Sequence, residues 1–251
     1  MQDGRVDILM YHSISENPGP TNIAPDIFAK QIEVIARLGV PVITLDTLVQ
    51  ARQTGAPLPP HSVVITFDDG FQDFADTAWP ILERHGFQAI NYLPTRYIGE
   101  YDVWEGSDAP RPIMTWATIK TLVGAGALFG SHTISHPNLT TLNAVDIAQE
   151  LSASRMMIED KLGCDIPHFA PPFGAVNARV RAQIAKHYDS SVGTHLYSAV
   201  PNSALLDLPR IEMFYFTDIA RWERFLSGND GYYLPLRRAL RQVGKLRRLV
   251  G

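Results

Sequence analysis

Short apolar runs, rich in β-branched residues, alternate along this chain with longer segments in which apolar residues recur at steps of three or four. The short runs predict buried β-strands, and the longer segments predict amphipathic helices. We expect strands at residues 6–11, 40–44, 62–67, 89–93, 128–131, 168–170, 190–194 and 208–214. We expect helices at residues 24–38, 45–54, 73–85, 115–124, 144–162 and 177–186, the fifth of them capped by Asn143.

The alternation of strands and helices indicates parallel β-α-β units. About seven or eight such units predict a closed or nearly closed barrel, in which chemistry collects on loops at the carboxyl ends of the strands. With 251 residues, 45% of them hydrophobic, the chain can bury one large core. We therefore expect an α/β fold with a single domain over residues 1–233.

The charges are unevenly distributed along the chain. Residues 234–251 contain six basic residues and no acidic one, whereas residues 1–233 carry all 26 acidic residues and 16 of the 22 basic ones. An enzyme of nucleic acids concentrates basic side chains around its cleft, so the body of this chain predicts no nucleic-acid partner. Cys164 is the single cysteine, which excludes an internal disulfide.

The basic segment at residues 234–251 has Leu236, Leu240, Val243 and Leu246 at steps of three and four. This pattern predicts a basic amphipathic helix. Such a helix can rest on an anionic membrane surface, but packing of its leucine stripe on the barrel is the favoured interpretation.

The chain shows no targeting or membrane-spanning segment. No apolar run approaches the roughly 18 residues that cross a bilayer. The N-terminal residues include acids where a signal peptide needs bases. We therefore expect a cytoplasmic location unless an export segment has been removed.

Two acidic residues stand at the end of the predicted strand 62–67. In the stretch VVITFDDGF, Asp68 and Asp69 follow the apolar run and precede Gly70. Two carboxylates at a buried strand end repel each other and lose hydration, so they need a cation or a proton. The structural alternative is an Asx-type turn, which explains Gly70 but not the histidines described next.

A pair of histidines follows the predicted strand 128–131. His132 and His136 are four residues apart, and a helical turn after the strand would point both imidazoles in one direction. Two histidines and one carboxylate are a common ligand set for catalytic zinc. A metal between Asp69 and these histidines would leave Asp68 beside it as a general base. For either histidine alone, a core or surface position is the alternative.

These stretches resemble a known family. TFDDG at residues 66–70 and SHTISH at residues 131–136 resemble the first two motifs of the polysaccharide deacetylases, the NodB-homology group of carbohydrate esterase family four. FAPPFGAVN at residues 169–177 resembles their third motif. The resemblance implies a distorted (β/α) barrel of about seven strands and metal-dependent removal of N-acetyl groups from amino sugars.

The resemblance also implies roles for particular residues. It makes Asp68 the catalytic base, which takes a proton from water while the metal polarises the acetamide carbonyl. Zinc is the expected ion, although the same ligands accept other divalent metals. The metal ligands that it implies are Asp69, His132 and His136.

Two departures from the family pattern affect these roles. Ala170 occupies the place of the third-motif arginine that orients the base, and no histidine follows His195 to supply the usual general acid. The run ILMYHSI resembles the circularly permuted poly-N-acetylglucosamine deacetylase branch, where an early histidine is the acid. We therefore expect His12 to be the acid, and we hypothesise that Arg210 orients the base. The alternative for His12 is a capping or core histidine, and the alternative for Arg210 is a surface arginine that flanks a strand.

The expected substrate is a carbohydrate that contains N-acetylhexosamine, with a backbone N–H near Pro172 and Phe173 at the oxyanion. One alternative is a related amidase that cleaves a non-sugar C–N bond, because the same metal chemistry serves both. The second alternative is a carbohydrate-binding barrel without catalytic activity, which would result from the loss of the general acid.

Overall fold

The computed structural model describes residues 4–19, 21–104 and 110–250, of which residues 242–250 are described by their backbone alone. Within these residues, seven parallel strands form one sheet. The strands are β1 (Arg5–Tyr11), β2 (His61–Phe67), β3 (Ile90–Leu93), β4 (Leu128–Ser131), β5 (His168–Phe169), β6 (Ser190–Ser191) and β7 (Ile211–Glu212). Their spatial order is β6-β5-β4-β3-β2-β1-β7.

The sheet curls so that its two edges approach each other. Strands β1 and β2 pair along their whole length, from Arg5 with His61 to Tyr11 with Phe67. At the edges, a parallel bridge joins Val192, directly after β6, to Leu208, shortly before β7. The expected α/β fold and distorted barrel of about seven strands are therefore confirmed.

Helices occupy most of the connections between strands. Apolar residues Phe28, Ile32 and Ile35 of the first helix are buried at helical spacing, as its pattern predicts. Asn143 caps the fifth helix by accepting hydrogen bonds from the backbone N–H groups of Val145 and Asp146 at 2.9 and 3.0 Å. The helices are α1 (Pro25–Leu38), α2 (Leu45–Thr54), α3 (Trp79–Arg84), α4 (Trp116–Gly124), α5 (Ala144–Leu162), α6 (Ala178–Ile184), α7 (Ile219–Leu226) and α8 (Tyr233–Val250).

The two faces of the sheet contribute to different apolar clusters. Tyr11 of β1 packs against Phe28 of α1 in the larger cluster, with ring centroids 5.1 Å apart. Ile8 of the same strand joins Val64 of β2 in the smaller cluster on the other face of the sheet. Because successive side chains of a strand point to opposite faces, His12 follows the face of Ile8.

One predicted strand is absent and others are shorter than expected. Of the predicted strand 190–194, only Ser190–Ser191 form a strand. Residues 40–44 form no strand, and Val42 makes only a single bridge with Val63. The reason is that Pro41 has no N–H to donate and α2 begins directly after residue 44. In the predicted strand 208–214, only Ile211–Glu212 is extended, and Met213–Phe216 continues as a 3₁₀ turn.

One predicted helix is divided in the structure, and the structure contains one helix that the sequence did not predict. The predicted helix at 73–85 begins as a π-helix, Phe74–Ala78, before α3 starts at Trp79. Pro80 explains the division, because it cannot donate a helical hydrogen bond to a preceding carbonyl. Helix α7 was not predicted, since its eight residues are too few for a clear periodic pattern.

The basic tail forms helix α8, but the two leucines of its stripe whose side chains are described do not pack on the barrel. Tyr233 and Leu234 are buried, whereas Leu236 and Leu240 are 58% and 54% exposed. The predicted packing is wrong for these two leucines, because Tyr233 and Leu234 dock in the core and set the rotation of the helix.

The remaining part of the predicted stripe, Val243 and Leu246, lies outside the described side chains, and Gly251 lies outside the described residues. The boundary expected between the domain and the basic tail, at residues 233 and 234, falls within the first turn of α8. In the described part of the chain, no helix combines the length and the apolar character that crossing a bilayer requires.

Candidate active site

A cavity of about 330 Å³ opens where the strands end. Its wall includes His12 after β1, Asp68 and Asp69 after β2, and His132 after β4. Chemistry in α/β barrels collects at this end because the loops there converge on one opening. The cavity therefore lies where the sequence pattern led us to expect a site.

Three of the expected residues converge on a single point in this cavity. The Oδ1 atom of Asp69 lies 3.3 Å from Nε2 of His132 and 3.3 Å from Nε2 of His136. One ligand atom from each of the three side chains lies within 4.8 Å of the other two, and all three residues are buried. A carboxylate oxygen and two imidazole nitrogens at this spacing fit a divalent metal.

Unusual backbone conformations accompany this convergence. The described non-glycine residues with positive φ are Asp69 at 75°, Thr133 at 72°, His136 at 54° and Phe173 at 60°. Left-handed conformations are costly for such residues and persist where surrounding structure enforces them, often at functional sites. The expected helical turn between the two histidines is wrong, because residues 132–136 form a loop with two of these conformations.

The loop between the histidines is held from helix α5. The Glu150 carboxylate accepts hydrogen bonds from the backbone N–H groups of Ile134 and Ser135, at 2.7 and 3.0 Å, and from the Ser135 hydroxyl at 2.6 Å. Thr133 adds a bond inside the loop, since its Oγ1 accepts from the His136 N–H at 3.1 Å. These bonds fix the position from which His136 reaches Asp69.

A backbone carbonyl orients the first histidine. Nδ1 of His132 donates to the carbonyl oxygen of Ala170 at 2.6 Å, which leaves its Nε2 facing Asp69. Such a bond from the second ring nitrogen is the usual support of a metal-binding histidine. Ala170 thus contributes through its backbone.

Burial and hydrogen bonding oppose each other in this group. Burial acts to raise the pKa of Asp69, but the hydrogen bonds from His132 and His136 outweigh it and hold the pKa well below the usual value. For His136, burial lowers the pKa, which favours the neutral imidazole that a metal requires. For His132, burial is outweighed by Asp69 and Asp68, and the pKa is raised.

Asp68 is held by two hydrogen bonds from Arg210. Nη1 and Nη2 of Arg210 donate to the two carboxylate oxygens of Asp68, each at 2.7 Å. Burial acts to raise the pKa of Asp68, but the charge and the hydrogen bonds of Arg210 outweigh it and lower the pKa. Asp68 is therefore an ionised carboxylate at neutral pH, with a fixed orientation.

The other expected residues surround this centre. Nε2 of His12 lies 3.9 Å from Oδ2 of Asp68, and the imidazole lines the cavity. Phe173 also lines the cavity, with its side chain 59% exposed, whereas Pro172 is buried and does not line it. Because proline has no N–H, only Phe173 of this pair can offer a backbone donor.

Sequence reasoning missed Glu212, Phe214 and Arg241, which also line the cavity. For Glu212 a signal was present: Arg210 and Glu212 are alternate residues of a predicted strand, so the position of one implies that of the other. The alternation does not extend to Phe214, because Met213–Phe216 form a 3₁₀ turn. Arg241 carried no such signal, because it belongs to a helix whose docking depends on tertiary contacts.

The fold and the site define a distorted α/β barrel with a candidate metal centre at its mouth. A family model described as polysaccharide deacetylase matches residues 55–190, which is more than half of the chain. The chain therefore belongs to the polysaccharide deacetylase family, and its enzyme class is that of the carbohydrate N-deacetylases. His12, Arg210, Glu212 and Arg241 lie outside the matched residues.

Individual proteins are also similar to this chain. Chitin deacetylase 1 of Cryptococcus neoformans var. grubii is 34% identical over 123 residues, which are 49% of this chain and only 23% of that protein's length. The Streptococcus pyogenes deacetylase PplD in complex with acetate has a TM-score of 0.73 and 25% identity, over 83% of this chain and 92% of that one. IcaB from Ammonifex degensii shares the fold, with a TM-score of 0.76 and 20% identity over 88% and 97% of the two chains.

Proposed function

We propose that this protein is a metal-dependent hydrolase that removes N-acetyl groups from amino-sugar units of a glycan and releases acetate. The observation that carries the proposal is the convergence of Asp69, His132 and His136 beside a second buried carboxylate, Asp68, in one cavity. Membership of the family supports it. So does the similarity to a chitin deacetylase and to a deacetylase that was solved with acetate.

Asp69, His132 and His136 would hold the metal. Their donor set fits zinc, and other divalent transition metals accept it as well. When bound, such an ion supplies positive charge that polarises the acetamide carbonyl and makes a neighbouring water more acidic. The Nε2 atoms must be unprotonated to bind the ion, and the bond from His132 Nδ1 to the Ala170 carbonyl favours the tautomer that carries its proton on Nδ1.

Asp68 is the proposed general base. Its carboxylate is ionised at neutral pH, so it can accept a proton from the attacking water. Arg210 is the proposed positioning residue, because its two bonds leave the carboxylate no freedom to rotate. A base that is already oriented lowers the activation free energy, because no conformational entropy of its side chain is lost in the transition state.

His12 is the proposed general acid. The amine that leaves the acetyl carbon needs a proton, and Nε2 of His12 lines the cavity on the side of Asp68. The backbone N–H of Phe173 is the proposed donor to the oxyanion that forms at the acetyl carbon. The positive φ of Phe173 supports this role, since strained backbone is retained where function needs its geometry.

Acetate release from N-acetylglucosamine oligomers tests the proposal. We expect release by the metal-loaded protein, loss of release on chelation and recovery when zinc is restored. The Asp68→Asn variant should retain one metal ion per chain and release no acetate. The matched control is His85→Ala, which removes an exposed histidine away from the cavity.

Two outcomes would contradict the proposal. Acetate release that survives complete removal of metal would exclude the metal-dependent mechanism. Binding of the oligomers without acetate release, under any divalent metal, would favour the silent carbohydrate-binding barrel instead.

A further inference from the structure

The start of helix α8 is fixed to the barrel close to the cavity. The ring of Tyr233 packs against Phe216 with centroids 5.2 Å apart, and its hydroxyl donates to the carbonyl oxygen of Tyr215 at 2.6 Å. Tyr233 and Leu234 belong to the main apolar cluster. Tyr215 itself lines the cavity, so the first turn of α8 is anchored beside the cavity wall.

Arginines of the next turns continue along this wall. The guanidinium of Arg237 lies over the ring of Tyr215 at 5.0 Å, and that of Arg238 lies over Tyr197 at 4.0 Å. One turn later, Nη1 of Arg241 donates to the carbonyl oxygen of Thr194 at 3.1 Å. Both Thr194 and Arg241 line the cavity. Helix α8 therefore contributes Arg241 to the wall of the cavity.

Glu212 lines the same cavity as Arg241. Burial raises the pKa of its carboxyl, and the positive charges of Arg210 and Arg241 offset this only in part. No hydrogen bond or ion pair among the described residues engages this carboxylate. Only Nη1 of Arg241 is bonded within the described part of the chain, so both groups have polar capacity left for a ligand.

We propose that Arg241 and Glu212 form a sugar-binding subsite that recognises hydroxyl groups of an uncharged hexosamine unit. A guanidinium only donates hydrogen bonds and a carboxylate only accepts them, so together they match hydroxyls, which do both. An anionic group on the sugar would face Glu212, and a cationic one would face Arg241. Phe214 and Tyr215, in the same wall, offer aromatic surface to the apolar face of a sugar ring.

This inference rests on the proposed function, because it assigns the site an amino-sugar substrate. It also gives the basic tail a role within the catalytic site. Specificity would then depend on residues beyond the part of the chain that the family shares, since residues 55–190 include neither Glu212 nor Arg241.

Variants of the two residues test the subsite with N,N′,N″-triacetylchitotriose. Arg241→Gln can still donate to the Thr194 carbonyl but loses the charge, and Glu212→Gln keeps the shape. We expect each to raise KM for acetate release about tenfold, the loss of one charge-assisted hydrogen bond. The change should fall on KM more than on kcat, because the sugar is held alike before and during the reaction. The control is Arg224→Gln, an exposed arginine of α7 that does not line the cavity.

Binding measured by calorimetry separates this inference from the proposed function. In an Asp68→Asn background, Arg241→Gln and Glu212→Gln should each raise the Kd of the trimer about tenfold. If they do so while no form of the protein releases acetate, the subsite stands and the proposed function fails. Kd values within twofold of the parent, or a parent that does not bind the trimer, would overturn the subsite.

A charged sugar tests the remaining part of the inference. The wild-type protein should bind N-acetylglucosamine at least as tightly as its 6-phosphate, because the negative charge of Glu212 offsets the attraction of Arg241 for the phosphate. Tighter binding of the phosphate would overturn the assignment to an uncharged sugar.

Discussion

Arg210 donates two hydrogen bonds of 2.7 Å to the carboxylate of Asp68, although 142 positions separate the two residues in the sequence. The guanidinium is itself anchored, because Nε donates to the carbonyl oxygen of Gly193 at 2.9 Å and Nη1 to the hydroxyl of Thr66 at 3.2 Å. Arg210 is almost fully buried, so water cannot replace these bonds. The residue directly before β7 thus supplies the cation that neutralises Asp68.

The two-point hydrogen bonding of the Arg210 guanidinium should affect the rate of acetate release. Lysine keeps the charge but offers a single ammonium, so Arg210→Lys would leave Asp68 free to rotate. We expect kcat for acetate release to fall about tenfold or more, since a loss of 1.4 kcal/mol in the transition state gives a factor of about ten. Arg224→Lys is the control, and an unaltered kcat in Arg210→Lys would exclude the positioning role.

The same pair should also contribute to stability. Arg210→Ala leaves the Asp68 carboxylate buried without its partner, and breaking a buried pair in this way costs about 3–5 kcal/mol. We expect urea unfolding to show this loss, and expect the double variant Arg210→Ala/Asp68→Asn to recover part of it. A double variant that is no more stable than Arg210→Ala would show that the two charges are not coupled.

Metal binding should require all three converging side chains. We expect one zinc ion per wild-type chain after dialysis, and far less in Asp69→Ala or His136→Ala, as measured by elemental analysis. Zinc at about 100 times its Kd should stabilise the wild type by about 2.7 kcal/mol. His85→Ala should behave like the wild type. Full zinc content in both ligand variants would refute this site.

Loss of His12 should affect reactions according to their leaving group. We expect His12→Gln to lower kcat on the amide by about a hundredfold or more, because an amine cannot leave without a proton. Hydrolysis of 4-nitrophenyl acetate should change much less, since its phenolate leaves unprotonated. Equal losses on both substrates would argue against a general acid.

A buried acid at the opposite end of the barrel should make stability depend on pH. Burial acts to raise the pKa of Asp7, but bonds from His61 at 2.8 Å and from Arg5 outweigh it and lower the pKa below the ordinary 3.8. The ionised form therefore favours the folded state above about pH 4, and this contribution is lost as the pH falls through the folded pKa.

The variant Asp7→Asn isolates this effect. We expect it to lower the free energy of unfolding at pH 7, with a clearly smaller loss at pH 3, as measured by urea titration. The control is Asp160→Asn, at an exposed position of α5. The same loss at both pH values would mean that the charge of Asp7 contributes nothing.

Much of the fold and half of the site were predictable from short stretches of sequence. The apolar runs located most strands, and the stretches around Asp68 and His132 located the chemistry, because strand periodicity and turn residues act over a few positions. Local patterns were less reliable for geometry. His136 reaches Asp69 through a loop held by Glu150, and no pattern within residues 132–136 contains that glutamate.

Other parts of the site depend on the order of the strands in space. Because β7 pairs with β1, the end of the chain returns to its beginning and brings Arg210 to Asp68. The docking of Tyr233 then brings Arg241 to the cavity. Residues close together in the sequence follow the regular spacing of one strand or helix, so their relative positions can be predicted from the sequence. Contacts between distant segments depend on which surfaces pack best, and that becomes apparent only when the whole core has formed.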